Sequence, residues 1–101
     1  MNIGGLVGTT PIVIDLRGLP GFTLAVYPVG GSPIDLEFSN TPTAATNPGA
    51  ANWIHAAFTE MEPSASFPYA IAYIGRFVGT CAAIRLSLAA GTSPGKWEIA
   101  T

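Results

Sequence analysis

Apolar and polar residues alternate along much of this chain with the period of two that is typical of β-strands. The clearest case is the segment from Ile34 to Ser39, where three apolar residues alternate with Asp35, Glu37 and Ser39. Because burying the two carboxylates would cost free energy, one face of this segment is expected to meet water. The pattern therefore predicts a strand with a distinct inner and outer face.

Related alternation in six other segments brings the number of predicted strands to seven. Their spacing is close to the 8–12 residues expected of a sandwich or barrel. Clusters of Gly, Pro, Ser and Thr separate most of them and indicate turns, and no window shows the 3.6-residue periodicity of a long helix. The seven segments are 11–17, 22–28, 34–39, 52–59, 69–78, 81–89 and 96–100.

The strands predict an all-β chain, folded as a single antiparallel β-sandwich or jelly-roll-like barrel of about seven to eight strands. The segment from Asn40 to Ala51 is long enough to cross between sheets, and a one-turn helix around Pro48 to Ala51 is compatible with it. Glu60 to Phe67 is predicted to be a second crossing. The predicted core consists of Ile14, Leu24, Leu36, Phe38, Ile54, Phe58, Ile84, Leu86 and Leu88.

The first ten residues differ from the rest, since they are rich in glycine and yet carry Ile3, Leu6 and Val7. We therefore divide the chain into a flexible, extended N-terminal arm, residues 1–10, and one β-sandwich domain, residues 11–101. Two interpretations of the arm stay open. It is either a frayed terminus that rests on its own domain, or a segment that becomes ordered only against a neighbouring subunit.

Composition narrows the range of functions. A chain of 101 residues is enough for one domain, and only 10% of its residues are charged, against about 25% in an average soluble domain. The net charge of −2 predicts no nucleic-acid partner. We expect no transmembrane segment and no signal peptide, because no apolar run is long enough and the N-terminus lacks basic residues. A surface so poor in charge is typical of proteins that assemble with partners.

The residues that could carry chemistry do not form a recognisable motif. His55 is the only histidine and has no second ligand at metal-binding spacing. Asp35 and Glu37 have the spacing of a solvated strand face, and Cys81 reads as a small buried hydrophobe. We therefore predict a protein that is not an enzyme and that needs no cofactor or metal. The aromatic residues fill the core or form a sugar-stacking platform; they include Trp53, Trp97, Tyr27, Tyr69 and Tyr73.

The C-terminal half carries a resemblance to known proteins. The run from Arg76 to Leu88, the glycine turn at Gly91 and the last segment from Lys96 to Ile99 resemble the ending of many small tailed-phage virion proteins. The strand around Trp53 and the surface rich in Ala, Thr and Gly are similar to that group as well. The resemblance extends over about Trp53 to Thr101, and it lies in a strand pattern.

This resemblance implies a virion structural protein of the head decoration (cement) type, located in the virion after assembly in the host cytoplasm. Its implied partners are the major capsid protein or other virion proteins and further copies of itself, with no nucleic acid or membrane. A carbohydrate-binding or adhesion module of a phage tail, collar or fibre is the alternative. The residues that we expect to make assembly contacts are Ile3, Leu6, Val7, Tyr27, Trp53 and Trp97.

Overall fold

Two antiparallel sheets form the molecule, as the alternation of apolar and polar residues predicts. The structure, a computed structural model, describes residues 2–17, 19, 21–54, 60–62, 72–78 and 81–101. In this part of the chain one sheet has the strand order β1-β8-β3-β6-β5 and the other β2-β7-β4. The all-β sandwich is thus confirmed. Its strands are β1 (Asn2–Val7), β2 (Ile12–Asp15), β3 (Gly21–Tyr27), β4 (Ile34–Ser39), β5 (Glu60–Glu62), β6 (Tyr73–Val78), β7 (Ala83–Leu88) and β8 (Gly95–Ala100).

The core lies between the two sheets, where the apolar positions of the alternating strands meet. In β8 every second residue is buried, and β4 shows the same alternation over its first five residues. Most of the predicted core is confirmed, and Leu88 is partly buried against it. The predicted residues that are buried are Ile14, Leu24, Leu36, Phe38, Ile84 and Leu86.

The prediction was wrong for Ile54, whose side chain is 62% exposed. Ile54 forms only an isolated bridge with Phe38 at the outer edge of β4, so it lies beside the sheet and not between the sheets. Residues 55–59 of that predicted strand, including His55 and Phe58, lie outside the described residues.

The segment from Glu60 to Phe67 begins with a strand and is not the second crossing that we expected. β5 and β6 are neighbours in the same sheet, with Glu60 opposite Arg76 and Glu62 opposite Ile74. The connection from β4 to β5 does cross between the sheets, and it contains the short 3-10 turn at Pro48–Ala50. Apart from the β5–β6 connection, all the remaining connections between consecutive described strands also pass from one sheet to the other.

The extended N-terminal arm is not confirmed. Asn2–Val7 forms strand β1, which pairs with β8 of the same chain over its whole length. Two glycines weaken a strand, but Val7 is fully buried in the core and holds the end of β1 in place. In the single chain these residues are therefore part of the five-stranded sheet.

Candidate assembly surface

Each sheet turns one face to the core and the other away from it. We call the outer face of the three-stranded sheet the covered face, because residues 40–53 of the same chain lie against it. We call the outer face of the five-stranded sheet the open face. By strand register it includes Leu6 of β1, Tyr27 of β3, Ile74 of β6, and Lys96 and Glu98 of β8.

A small apolar cluster joins the covered face to the chain that lies over it. Ala44, from the 40–53 segment, is fully buried together with Ala82 and Ala83 at the start of β7. Ser39 accepts a hydrogen bond from the backbone N–H of Thr41, so the segment turns back immediately after β4. The long connection therefore acts as a lid that the chain supplies for itself.

Arg85 organises the polar part of the covered face. Its Nη2 donates to Glu37 Oε1 at 2.8 Å across the β4–β7 pair. Its guanidinium carbon lies 4.4 Å from the centre of the Trp53 ring. The Trp53 indole N–H in turn donates to the carbonyl of Pro48 at 3.0 Å. A cation on an aromatic face adds favourable electrostatic energy. The contacts of Arg85 with Glu37 and Trp53 therefore hold the 40–53 segment against this face.

The open face has no such lid in the part of the chain that the structure describes. Leu6 is 64% exposed, Ile74 51% and Tyr27 43%. These three side chains come from three strands of one sheet and face the same side. Exposed apolar residues that share one surface, in contrast to scattered ones, are typical of interaction sites.

Charges on the open face have both signs. Lys96 and Glu98 are both exposed and lie two positions apart on β8. Arg76, exposed on β6, lies on the same face, and the two glutamate positions of β5 are in register beside β6. A hydrogen bond in which the Tyr27 hydroxyl donates to Glu98 raises the pKa of Tyr27 above its ordinary value. The phenol therefore stays neutral, and this face combines apolar area with charges of both signs.

A shallow depression of about 750 Å³ lies between β1, β8 and the end of β3. Leu6, Tyr27, Val29 and Lys96 are among its lining residues. Gly4 lines it as well, and a Cβ there would come within 2.8 Å of the backbone oxygen of Trp97. The glycine thus keeps β1 close to β8 and leaves a hollow on the surface.

Two of the predicted contact residues are buried in the single chain. Val7 is fully buried and Trp97 is only 8% exposed, and both belong to the core. The indole Nε1 of Trp97 is buried without a hydrogen-bond partner among the described residues. A Cβ at Gly5 would lie 3.1 Å from this nitrogen, so a larger residue there would press on the indole, over which β1 passes closely.

The remaining predicted contacts fall in separate places. Leu6 and Tyr27 share the open face, whereas Ile3 pairs with Ile99 on the core-facing side and is 37% exposed. Trp53 belongs to the covered face on the opposite side of the molecule. Their role in assembly stays a prediction. Ile74 was not among the predicted contact residues, although it lies in the predicted strand 69–78.

The described residues include no group of three His, Cys, Asp or Glu side chains that could hold a metal ion. Cys81 is buried, and the burial raises the pKa of its thiol to about 11. No helix in the described part of the chain is both long and apolar enough to span a bilayer.

The chain matches no protein-family model, and no curated protein matches it significantly.

Proposed function

We propose that this protein is a non-enzymatic virion structural protein that decorates or cements a phage capsid through subunit–subunit contacts. The observation that carries the proposal is the open face, where Leu6, Tyr27 and Ile74 are exposed together while the opposite face is covered by the chain itself. The open face is thus suited to contact a partner, whereas the covered face is already occupied by residues 40–53 of the same chain.

The physical basis is burial of apolar area. Contact stabilises by about 25 cal/mol for each Å² of apolar surface removed from water. The charged residues on this face have both signs, so a complementary partner surface can pair them. A modest contact becomes effective on a capsid, because the lattice repeats it in many copies.

The geometry gives less support to the alternative, a carbohydrate-binding or adhesion module of a tail, collar or fibre. Sugar stacking needs several aromatic rings exposed on one surface. Trp97 lies in the core, and Trp53 lies under Arg85 on the other side of the molecule. Among the aromatic side chains that the structure describes, Tyr27 is the one on the open face.

Co-sedimentation of the purified chain with undecorated phage heads tests the proposal. We expect saturable binding at a fixed number of copies per head, and no change in tryptophan fluorescence when sugars are added. Binding to a glycan array without binding to heads would support the alternative and overturn the proposal. Heads and glycans can be tested with the same protein preparation.

A further inference from the structure

The four outer strands of the two sheets are protected to different degrees. Unpaired strand edges invite association, and proteins block them with charge, proline, short length or covering chain. The edge of β4 is occupied by Ile54, whose backbone exchanges two hydrogen bonds with Phe38. β2 is four residues long, follows Pro11 and ends at Asp15, which pairs with Arg17. β5 has three residues, of which two are glutamate.

β1 has none of these protections. It is six residues long and contains neither a charged residue nor proline. One side pairs with β8, and no described residue hydrogen-bonds to its other side. Five of its six residues are exposed. Its backbone therefore offers a row of N–H and C=O groups that an extended strand can complete.

We propose that β1 pairs antiparallel with β1 of a second copy of this chain, so that two five-stranded sheets become one continuous sheet. For its role in the virion this inference rests on the proposed function, since the pairing also joins the two open faces into one larger surface. The occupant is a second copy because a two-fold axis brings the same uncharged, unpaired edge of both chains together.

Symmetry limits how the two strands can align. A two-fold axis perpendicular to the sheet keeps both open faces on the same side. Residues that are directly opposite in an antiparallel pair point to the same side of the sheet. Position n must therefore face a position of the same parity, which leaves two alignments with five opposed positions. One places Gly4 opposite Gly4 of the second copy, and the other places Gly5 opposite Gly5 of the second copy.

Shape favours the alignment centred on Gly5. It places Leu6 opposite Gly4 of the second copy, so the most exposed aliphatic side chain of β1 lies beside the hollow that glycine leaves. The alignment centred on Gly4 would instead place Leu6 opposite Asn2 of the second copy.

The contact is small, which sets the strength that we expect. Five opposed residues extend over about 17 Å of strand at 3.4 Å per residue. Such an edge buries less than the roughly 800 Å² per partner of a stable complex. The free protein should therefore dimerise weakly, with a dissociation constant of about 10 µM to 1 mM.

Sedimentation of the purified chain without capsids tests the pairing, using Leu6→Lys and its matched control Ile74→Lys. Both substitutions place a lysine at an exposed aliphatic position on the same face, but Ile74 lies three strands away from the edge. We expect the wild type and Ile74→Lys to shift from 10.4 kDa towards the dimer by about 1 mM. Leu6→Lys should dimerise at least about tenfold more weakly.

The double variant Asn2→Cys/Leu6→Cys provides a second readout at two exposed positions of β1. These positions face each other across the axis only in the alignment centred on Gly4, so we expect no disulfide between copies. A monomeric wild type at all concentrations, or equal dimerisation of Leu6→Lys, would overturn the inference. Ready formation of that disulfide would overturn the alignment on Gly5. Head binding is measured separately, so its loss would refute the proposed function without affecting this result.

Discussion

The two outer faces of this sandwich differ in whether the chain itself covers their apolar side chains. On the three-stranded sheet the chain covers its own surface, with Ala44 buried against β7 and Trp53 against Arg85. On the five-stranded sheet Leu6, Tyr27 and Ile74 remain exposed, and none of the described residues forms a comparable lid. A chain with so few charges does not need to protect both faces equally if a partner covers one of them.

The same contrast separates the strand edges. The edge of β4 is paired by Ile54 within the chain, while the edge of β1 has no such partner among the described residues. The open face and the unpaired edge meet at β1, so exposed apolar side chains and unpaired backbone groups lie on the same side of the molecule. Substitutions in matched pairs on the two faces can test this contrast.

The largest expected effect is on the reactivity of Cys81, which lies in the core next to the covered face. Its pKa of about 11, raised from 9.0 by burial, leaves about a hundredfold less thiolate at pH 8 than in the unfolded chain. Labelling with a thiol reagent should therefore be at least about a hundredfold slower in the folded protein. Rapid labelling in the absence of denaturant would show that the covered side opens readily.

Trp53→Ala should destabilise the protein by roughly 2 kcal/mol, below the 3–5 kcal/mol of a fully buried tryptophan because the ring is half-buried. Its control is Tyr27→Ala on the open face, for which we expect a loss of less than about 1 kcal/mol. Urea denaturation measures both. Equal losses would mean that the two faces contribute alike to folding.

The pair between Arg85 and Glu37 should give a coupling free energy of about 1 kcal/mol in a double-mutant cycle. Both side chains are less than a third exposed, and the contact crosses from β4 to β7. The comparison pair is Arg17 and Asp15, which are exposed and two residues apart. The hydrogen bonds from Arg17 lower the pKa of Asp15, but solvent screening should leave no measurable coupling. A coupling as large as that of Arg85 would contradict this ranking.

The smallest effect is expected for Ile74→Lys, which should change the free energy of unfolding by no more than about 0.5 kcal/mol. Ile74 is 51% exposed, so lysine can occupy its position without entering the core. Thermal unfolding followed by circular dichroism measures this. A large loss would place Ile74 within the folding core and remove it from the open face.

Alternation predicted those parts of the fold in which neighbours along the chain differ in polarity. β4 matches its predicted bounds, and in β8 Trp97 and Ile99 point inwards while Lys96 and Glu98 point outwards. β1 could not be predicted in this way, because Gly4 and Gly5 interrupt its alternation.

Long-range pairing accounts for most of what the sequence did not reveal. β1 is held by β8 from the other end of the chain, and Arg85 meets Trp53 and Glu37 only after the sheet has formed. The local alternation predicted that Ile54 lies in the core. Its backbone pairs instead with Phe38 at the outer edge of β4, where the Ile54 side chain is exposed. Which face stays open depends on where residues 40–53 fold, and local periodicity carries no information about that.

The affinity of two matched lysine variants for undecorated heads tests the central claim most directly. Ile74→Lys changes the open face, whereas Ala50→Lys changes an exposed position of the 3-10 turn within the 40–53 segment. We expect Ile74→Lys to bind at least about tenfold more weakly than the wild type, equivalent to 1.4 kcal/mol, and Ala50→Lys to bind unchanged. Loss of binding by Ala50→Lys with full binding by Ile74→Lys would contradict the assignment of the open face as the contact surface.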